Sequence, residues 1–454
     1  MVAALRKLIA GLAPGDRLPS SRELTVRHHV GPATVSRAIA RLAAEGAVVT
    51  RPGSGTFVAA RPADQGGGAD TSWQSVALAG RDASAEPPVP LPDGAVALSG
   101  GYPHESLQPT RALAAALARA ARRPGAWRRA PTAGLAPLRA LFARQAGGSV
   151  TADDVLVTGG GQGALSMLFR AIVAPGGPVL MESPTYPGAL AAARAAGLRP
   201  LPVPTDADGI RPDLLADAFA MTGARLLYCQ PTFHNPTGTV LAPGRREQVV
   251  EVARAAGAFL VEDDFARHLG HGGPLPPPLV SGDRDGTVIH LTSLTKPASP
   301  SLRIGAVIAR GPVMRRLWGM RFVDDFFTAR PLQEAAVELL STPAWERHLR
   351  TLSAALRERC ALLAACLARD LPHWTLTRHP TGGLHLWVRL PDGVQDTTLA
   401  DAARAHGVAV DAGARYFPAE PSGPFLRLSF AAAPGPADLA EATRRLAALP
   451  PSPS

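Results

Sequence analysis

The stretch Ser293-Leu294-Thr295-Lys296-Pro297-Ala298-Ser299-Pro300-Ser301-Leu302-Arg303 contains one of only two lysines in a chain with 47 basic residues. The other lysine is Lys7, and all remaining basic residues are arginine. Arginine replaces lysine at most solvated positions, but a guanidinium keeps its charge throughout the usable pH range. Lys296 therefore indicates either chemistry that needs an amine able to lose its proton, or a leftover residue in a salt bridge.

The composition and charge limit the classes of protein to consider. A chain of 454 residues is too long for a single core and predicts two or three domains. The three cysteines show neither paired nor metal-ligand spacing, and no segment reads as a signal peptide or an apolar span. We therefore expect a cytoplasmic protein with no metal site and no membrane partner. Residues 1–62 carry a net charge of +6 out of the chain's +10, which favours a polyanion as partner of that end.

The first 60 residues form a separate unit. Ser20 with Glu23 makes a capping box at the start of a helix, and Pro32 stands at the first position of the next one. The segment Pro52-Gly53-Ser54-Gly55 separates two short apolar runs, as the tip of a hairpin does. Helices are predicted over residues 5–12, 21–29 and 33–45, and a hairpin over 48–58. This order of elements is that of a winged helix-turn-helix.

In such a unit the third helix enters the major groove of double-stranded DNA, and residues at the second helix and the wing contact phosphates. The alternative is a solvated basic face on a small helical domain. The candidate DNA-binding residues are Arg22, Thr34, Ser36, Arg37, Arg51 and Ser54.

Two segments, Pro14 to Leu24 and Arg51 to Val58, resemble the GntR-type winged helix almost letter for letter. The resemblance implies DNA binding as a dimer. The chain departs from the family in a shorter first helix. It also has Gly31-Pro32 where the family usually has a Ser-Arg pair, which removes one usual DNA contact.

The rest of the chain divides into a linker and a larger domain. Residues 61–94 are rich in Gly, Pro, Ser, Ala and Asp, and we predict a flexible linker. In residues 95–454, short apolar runs alternate with helical stretches in the large part, about 145–325, and predict an α/β domain with a mostly parallel sheet. A smaller α+β lobe follows over about 330–450. The strands predicted for the large part are residues 154–158, 179–181, 226–230, 259–262, 288–291 and 304–309.

Glycines and polar residues at predicted strand ends suggest a bound phosphate. Thr158-Gly159-Gly160-Gly161-Gln162 follows a strand and opens a helix, where backbone N–H groups bind anions, although any βα turn can carry several glycines. Ser293 and Arg303 flank Lys296 and complete such a cage.

Three further residues suit an aromatic ring that carries a protonated nitrogen and a phenolic oxygen. Asp263 ends an apolar strand and would face the nitrogen, Tyr186 would cover the ring, and Asn235 would donate to the oxygen. Each has an ordinary alternative: a strand-end carboxylate, loop packing and a turn. As a set with Lys296, they predict a site for pyridoxal 5′-phosphate.

The same set resembles the fold type I aminotransferases over roughly residues 95–450. The resemblance implies that Lys296 forms the internal aldimine, that Asp263 pairs with the pyridinium, and that Arg427 binds an amino-acid carboxylate. Arg427 has the alternative of a surface ion pair. The cofactor-binding residues implied are Gly161, Gln162, Tyr186, Asn235, Asp263, Ser293, Lys296 and Arg303.

A winged helix joined by a linker to such a domain resembles the MocR subfamily of GntR regulators. This implies a cytoplasmic, homodimeric transcription regulator that senses pyridoxal phosphate, or a small amine or amino acid through an external aldimine. Phe265 and Arg129 stand where relatives carry tyrosines, which favours sensing over catalysis. Two alternatives stay open: an active aminotransferase with a fused DNA-binding domain, and a cofactor-free fold that only dimerises.

Overall fold

The computed structural model describes residues 1–13, 15–51, 54–59, 71, 73–77, 91–92 and 94–449. The chain divides into two compact units, Met1–Asp82 and Ala83–Ser454. Pro52 and Gly53 of the predicted wing tip, and most of the predicted linker, lie outside the described residues.

The first unit has the element order of a winged helix-turn-helix. The capping box is present: Ser20 N donates to Glu23 Oε2 (2.6 Å) and Glu23 N donates to Ser20 Oγ (3.3 Å). The predicted first helix was placed three residues too late, because Gly11 lies in a turn after the helix has ended at Ile9. The elements are α1 (Val2–Ile9), α2 (Ser21–His28), α3 (Pro32–Ala44), the antiparallel pair β1 (Val48–Arg51) and β2 (Gly55–Val58), and α4 (Trp73–Ala77).

The second unit begins with β3 (Val96–Ala97) and contains an eight-stranded sheet in the order β4-β11-β10-β9-β8-β5-β6-β7. Strands β5, β6, β8, β9 and β10 pair in parallel, whereas β11 is antiparallel to both its neighbours. The strands are β4 (Val155–Thr158), β5 (Pro178–Ser183), β6 (Arg199–Asp206), β7 (Gly209–Ile210), β8 (Leu226–Cys229), β9 (Phe259–Asp263), β10 (Val288–Ser293) and β11 (Gly305–Ile308). The prediction of a mostly parallel sheet is confirmed.

Helices cover both faces of this sheet, and separate apolar clusters pack on its two sides. They are α5 (Thr110–Ala121), α6 (Ala136–Ala146), α7 (Gly161–Ile172), α8 (Pro187–Ala195), α9 (Pro212–Thr222), α10 (Pro243–Ala255), α11 (Pro312–Asp324) and α12 (Arg330–Leu340). The long helix α13 (Pro343–Asp370) contacts the large core near its start and packs the rest of its buried face into the core of the small lobe. None of the helices in the described residues has the length and apolar character needed to cross a membrane.

The small lobe holds a four-stranded antiparallel sheet in the order β12-β13-β16-β15. A second, two-stranded sheet pairs β14 in parallel with β3, so the segment before residue 100 is anchored to this lobe. The elements are β12 (Thr375–Leu376), β13 (His385–Arg389), α14 (Asp396–Ala405), β14 (Val408–Ala409), β15 (Asp411–Ala412), β16 (Phe425–Ser429) and α15 (Pro436–Ala447). The predicted α+β lobe is confirmed.

Candidate functional site

Lys296 follows β10 near the middle of the large sheet. Its Nζ lies 3.7 Å from the centroid of the Tyr102 ring. Burial, followed by the charge of Arg427, lowers the pKa of Lys296 to about 7. A substantial fraction of this amine is therefore uncharged at neutral pH, which is the form that reacts with an aldehyde.

Asp263 ends β9, the strand beside β10, and only one of its oxygens has a protein partner. Oδ2 accepts hydrogen bonds from the Tyr228 hydroxyl (2.7 Å) and from Gln230 Nε2 (3.0 Å). Oδ1 is buried and has no partner. Burial raises the pKa of Asp263 above its ordinary value. Because an unpaired buried carboxylate oxygen is costly, this atom fits a protonated ring nitrogen supplied by a bound molecule.

The glycine turn between β4 and α7 lies against Arg303. Gly160 has φ +97°, and a Cβ at this position would stand 2.8 Å from Arg303 Nη2. The exposed guanidinium is therefore next to the N-terminus of α7, and the two together suit a phosphate. Ser293, which was predicted to complete the phosphate site with Arg303, makes its hydrogen bonds within its own turn. Its hydroxyl donates to Thr295 Oγ1 (2.8 Å) and accepts from Thr295 N (3.1 Å).

Gln162, in the first turn of α7, holds the Tyr186 side chain. The Tyr186 hydroxyl donates to Gln162 Oε1 (3.1 Å), and Gln162 Nε2 donates to the carbonyl of Gly188 (2.7 Å). Burial raises the pKa of Tyr186 to about 12, so the hydroxyl stays a donor at neutral pH. The structure thus gives Gln162 a role in placing Tyr186, in addition to its place beside Gly161 at the helix start.

Asn235 and Arg427 contact each other, although 192 residues separate them. Arg427 Nη1 donates to Asn235 Oδ1 (3.0 Å), and Nη2 donates to the Gly100 carbonyl (2.7 Å) and to Asp411 Oδ2 (2.5 Å). Arg427 is 4% exposed, so the alternative of a surface ion pair is wrong. With Oδ1 occupied, the amide nitrogen is the group of Asn235 that would donate to a phenolic oxygen.

A second buried charged cluster lies beside Asp263. Ligand-type atoms of Glu262, Asp264 and His290 lie within 4.8 Å of one another. Glu262 accepts from His290 Nδ1 (2.8 Å) and Leu279 N (2.8 Å), and Arg267 donates to Asp264. Protein groups already pair with both oxygens of Glu262 and with Asp264 Oδ2, so the cluster is a set of internal ion pairs at the end of β9.

Phe265 and Arg129, the two positions at which the resemblance implies tyrosine, have different surroundings. Phe265 is partly buried and packs against the apolar core of the small lobe. Arg129 is exposed, and its guanidinium carbon lies 5.7 Å from the Phe327 ring centroid. Neither residue supplies a tyrosine hydroxyl.

On the winged helix, five of the six predicted DNA-binding residues are exposed, and Thr34 is partly buried. Val35, Ile39 and Leu42 form the buried face of α3. Arg51 lies over the Phe57 ring, with its guanidinium carbon 5.1 Å from the centroid. The exposed five are Arg22, Ser36, Arg37, Arg51 and Ser54.

Four residues of the site were not predicted from the sequence: Tyr228, Gln230, Tyr102 and Asp411. A tyrosine in the buried run Leu226–Cys229 was a usable signal for Tyr228, because its hydroxyl needs a partner inside the protein. Tyr102 and Asp411 gave no local signal, because their partners are far away in the chain: Tyr102 meets Lys296 from a bend after β3, and Asp411 meets Arg427 through the pairing of β15 with β16.

Comparison with known proteins supports the assignment of both the winged helix and the larger domain. Residues 98–446 match the family described as aminotransferase class I and II, and residues 1–58 match the bacterial regulatory proteins of the gntR family. The chain is 30% identical to the uncharacterized HTH-type transcriptional regulator YdcR of Escherichia coli, over 92% of this chain and 91% of that protein.

It is 31% identical to the HTH-type pyridoxine biosynthesis transcriptional regulator PdxR of Corynebacterium glutamicum, over 91% and 87% of the two chains. Among solved structures, LysN, an α-aminoadipate aminotransferase of Thermus thermophilus in complex with N-(5′-phosphopyridoxyl)-L-leucine, matches with a TM-score of 0.74 and 32% identity. This match covers 78% of this chain and 92% of LysN. The chain therefore belongs to the aminotransferase class I and II family and joins that domain to a gntR-family DNA-binding domain, which is the composition of the MocR subfamily of transcriptional regulators.

Proposed function

We propose that this protein is a pyridoxal-phosphate-dependent transcription regulator whose DNA binding responds to the cofactor or to a small amine. The observation that carries the proposal is the pair formed by Lys296, whose pKa is lowered to about 7, and Asp263, whose buried Oδ1 lacks a partner. Both are in a chain that also carries a winged helix with an exposed recognition face. A cytoplasmic location follows from this function.

Different residues of the site would bind different groups of the cofactor. Arg303 and the N-terminus of α7 would bind the phosphate, Asp263 the ring nitrogen, and Asn235 the phenolic oxygen. Tyr186 would pack on the ring. Pyridoxal phosphate, when bound, supplies an aldehyde that condenses reversibly with primary amines. Lys296, as a largely neutral amine, is the protein group suited to meet it.

Sensing requires that the ligand bind two arrangements of the protein with different affinity. The test measures the anisotropy of a labelled DNA duplex that the wild-type protein has selected from a random pool. We expect the cofactor, with or without added amines, to change the affinity of the wild type. Lys296→Ala, which cannot form the imine between protein and cofactor, should need a higher concentration of the cofactor for the same change. A wild-type affinity that none of these additions changes would contradict the proposal.

A second candidate, an active aminotransferase, is favoured by the lowered pKa of Lys296, since such an amine can accept and return a proton near neutral pH. The chain is also 33% identical to the 2-aminoadipate transaminase of Thermus thermophilus, over 78% of this chain and 89% of that enzyme. Turnover of an amino acid with a keto acid, in the range common to enzymes, would decide for this function.

We also propose a homodimer formed through the second unit. Large apolar side chains are exposed on one part of this unit, around an open groove of about 410 Å³ that Trp127, Phe327 and Leu332 help to line. Exposed aromatic residues beside a groove are typical of protein interfaces. The occupant proposed is a second copy of the chain.

A further inference from the structure

Arg427 is the residue expected to bind an amino-acid carboxylate, yet a carboxylate of this chain is already bound to it. Its Nη2 donates to Asp411 Oδ2 (2.5 Å), and the two side chains are only 5% and 10% exposed. The two residues are direct partners in the pairing of β15 with β16. Strand register therefore holds the pair together, so it does not depend on a chance side-chain rotamer.

The segment after β3 fixes the same pair from a second side. The Gly100 carbonyl accepts from Arg427 Nη2 (2.7 Å), and Gly100 N donates to Asp411 Oδ2 (3.0 Å). The next residues reach the amine, because a Cβ on Gly101 would stand 3.5 Å from Lys296 Nζ and the Tyr102 ring lies 3.7 Å from it. Asp411 and Lys296 thus border the same site.

No bidentate clamp remains on Arg427. A guanidinium grips a carboxylate with two parallel N–H groups, from Nη1 with Nη2 or from Nε with Nη2. Both pairs need Nη2, whose two hydrogens go to Gly100 and Asp411. Nε has no partner, but a carboxylate that met Nε alone would lack the second parallel N–H group.

The charge also disfavours a carboxylate. Asp411, which also pairs with the exposed Arg415 (3.5 Å), offsets part of the charge of Arg427. It would lie beside any second carboxylate bound there, and like charges at close range repel strongly where solvent is excluded. The surface facing Lys296 at this point is the aromatic ring of Tyr102, which is compatible with an amine.

From these contacts we infer that the effector is a primary amine without a carboxylate on the carbon that bears the nitrogen, and that Asp411 determines this specificity. The inference rests on the proposed function, because it concerns the ligand of the same site. A free amino acid would first have to displace Asp411 from Arg427.

The test uses the full chain loaded with pyridoxal phosphate and follows the absorbance of the cofactor during titration. Isoamylamine and leucine form a matched pair that differs only by the carboxylate. For the wild type we expect half-saturation by the amine at a concentration at least about tenfold lower than by leucine. In Asp411→Asn the leucine curve should move about tenfold to lower concentration, while the amine curve moves less than about threefold. Asp401→Asn, an exposed aspartate on α14, is the matched control and should leave both curves in place.

A second measurement needs no cofactor. Isocaproate, which is leucine without its amine, should raise the melting temperature of cofactor-free Asp411→Asn but not that of the wild type. A wild type that prefers leucine, or that isocaproate stabilises as much as the variant, would overturn the inference. If Asp411→Asn does not fold, the wild-type comparison of amine, amino acid and carboxylate still decides. A protein that takes up no cofactor would instead contradict the proposed function. The melting temperatures with isocaproate would then still test whether Asp411 keeps a carboxylate from Arg427.

Discussion

Among the individual residues of the site, Asp263 shows how its neighbours prepare one atom for a ligand. Tyr228 and Gln230 occupy Oδ2 and fix the plane of the carboxylate, while Oδ1 stays buried without a partner. The cost of burying that oxygen is recovered only when a cation or a donor meets it. Retention of the cofactor should therefore depend on residues that do not touch the cofactor themselves.

Tyr228→Phe should weaken binding of pyridoxal phosphate about tenfold, because one of the two hydrogen bonds that orient Asp263 is lost, at about 1–1.5 kcal/mol. Asp263→Asn should weaken it further, since the charge opposite the ring nitrogen disappears. Dissociation constants from absorbance titration of the cofactor-free protein test both. Affinities of Tyr228→Phe equal to wild type would show that Gln230 alone orients the carboxylate.

Lys296 should make the stability of the cofactor-free protein depend on pH. Its pKa falls from 10.5 to about 7 on folding, so the folded state binds fewer protons between these values, and the penalty for burying the charged amine is complete below pH 7. Lys296→Met should therefore raise the free energy of unfolding most at pH 6. The gain should shrink by about 1.4 kcal/mol per pH unit from pH 7 towards 10.5.

Urea unfolding at several pH values measures this gain. Lys7→Met is the matched control, because Lys7 is the only other lysine and is exposed on α1. A gain for Lys296→Met that does not change with pH would show that the pKa of Lys296 is the same in the folded and the unfolded protein, so that the buried amine stays charged.

Whole elements place these residues. Strands β4, β9 and β10 run in the same direction and end at the same edge of the sheet, which brings the glycine turn, Asp263 and Lys296 together. Antiparallel β11 returns from that edge and carries Arg303 just before its start, next to Gly160. The turn between β4 and α7 is therefore the element most sensitive to a small change.

Gly160→Ala should lower the affinity for pyridoxal phosphate by about tenfold or more. The new Cβ would require φ +97° and would displace the Arg303 guanidinium, 2.8 Å away, from the phosphate site. Gly163→Ala is the matched control, because nothing lies within 4 Å of a Cβ there and Gly163 is inside α7. Equal affinities of the two variants for pyridoxal phosphate would show that the phosphate does not bind at this turn.

On helix α3, Arg37→Ala should lower DNA affinity by about 1–3 kcal/mol and relax sequence preference, if its side chain reaches a base edge. Arg41→Ala, one turn further along the same helix, is the comparison, because Arg41 is paired with Glu45 (3.2 Å) and should matter less. Anisotropy at several salt concentrations separates the two. A larger loss for Arg41→Ala would place the reading surface nearer the end of α3.

For the molecule as a whole, the exposed apolar surface of the second unit predicts its assembly. Trp127 is 79% exposed, and Phe322 and Phe326, whose rings are 5.0 Å apart, are each about half exposed. Arg129 lies beside this region against Phe327. Because such a surface is unfavourable in water, it favours association of two chains.

Light scattering after size exclusion should give the wild type about twice its chain mass of 47.1 kDa. Trp127→Glu should shift the protein to the monomer, because a charge at the centre of an apolar contact is left unpaired. Met221→Glu, at a residue that is 80% exposed on α9, is the control and should stay dimeric. A monomeric wild type would contradict the proposed homodimer.

Local patterns were sufficient for most of the large sheet and for the main elements of the winged helix. The capping box of α2, Pro32 at the start of α3, and the apolar runs of the large sheet predicted their elements to within a few residues, because each signal lies within one element. Strand β6 was missed, since Pro200, Pro202 and Pro204 argue against a strand. Proline has no backbone N–H group, and prolines at every second position lack this donor on the same side of the strand. Strand β6 tolerates this because it lies next to the edge strand of the sheet.

Motifs within single segments were likewise enough to nominate Lys296, Asp263 and Asn235 and to suggest what such residues bind. The hydrogen bonds that tune them join residues far apart in the chain: Tyr228 to Asp263 across neighbouring strands, and Arg427 to Asn235 between the small lobe and the large domain. The contact of Asp411 with Arg427 depends on the register of two paired strands. No periodicity or motif encodes such a register, because it is set by the packing of the whole lobe, and this is why the ligand preference proposed for the site depends on the folded chain.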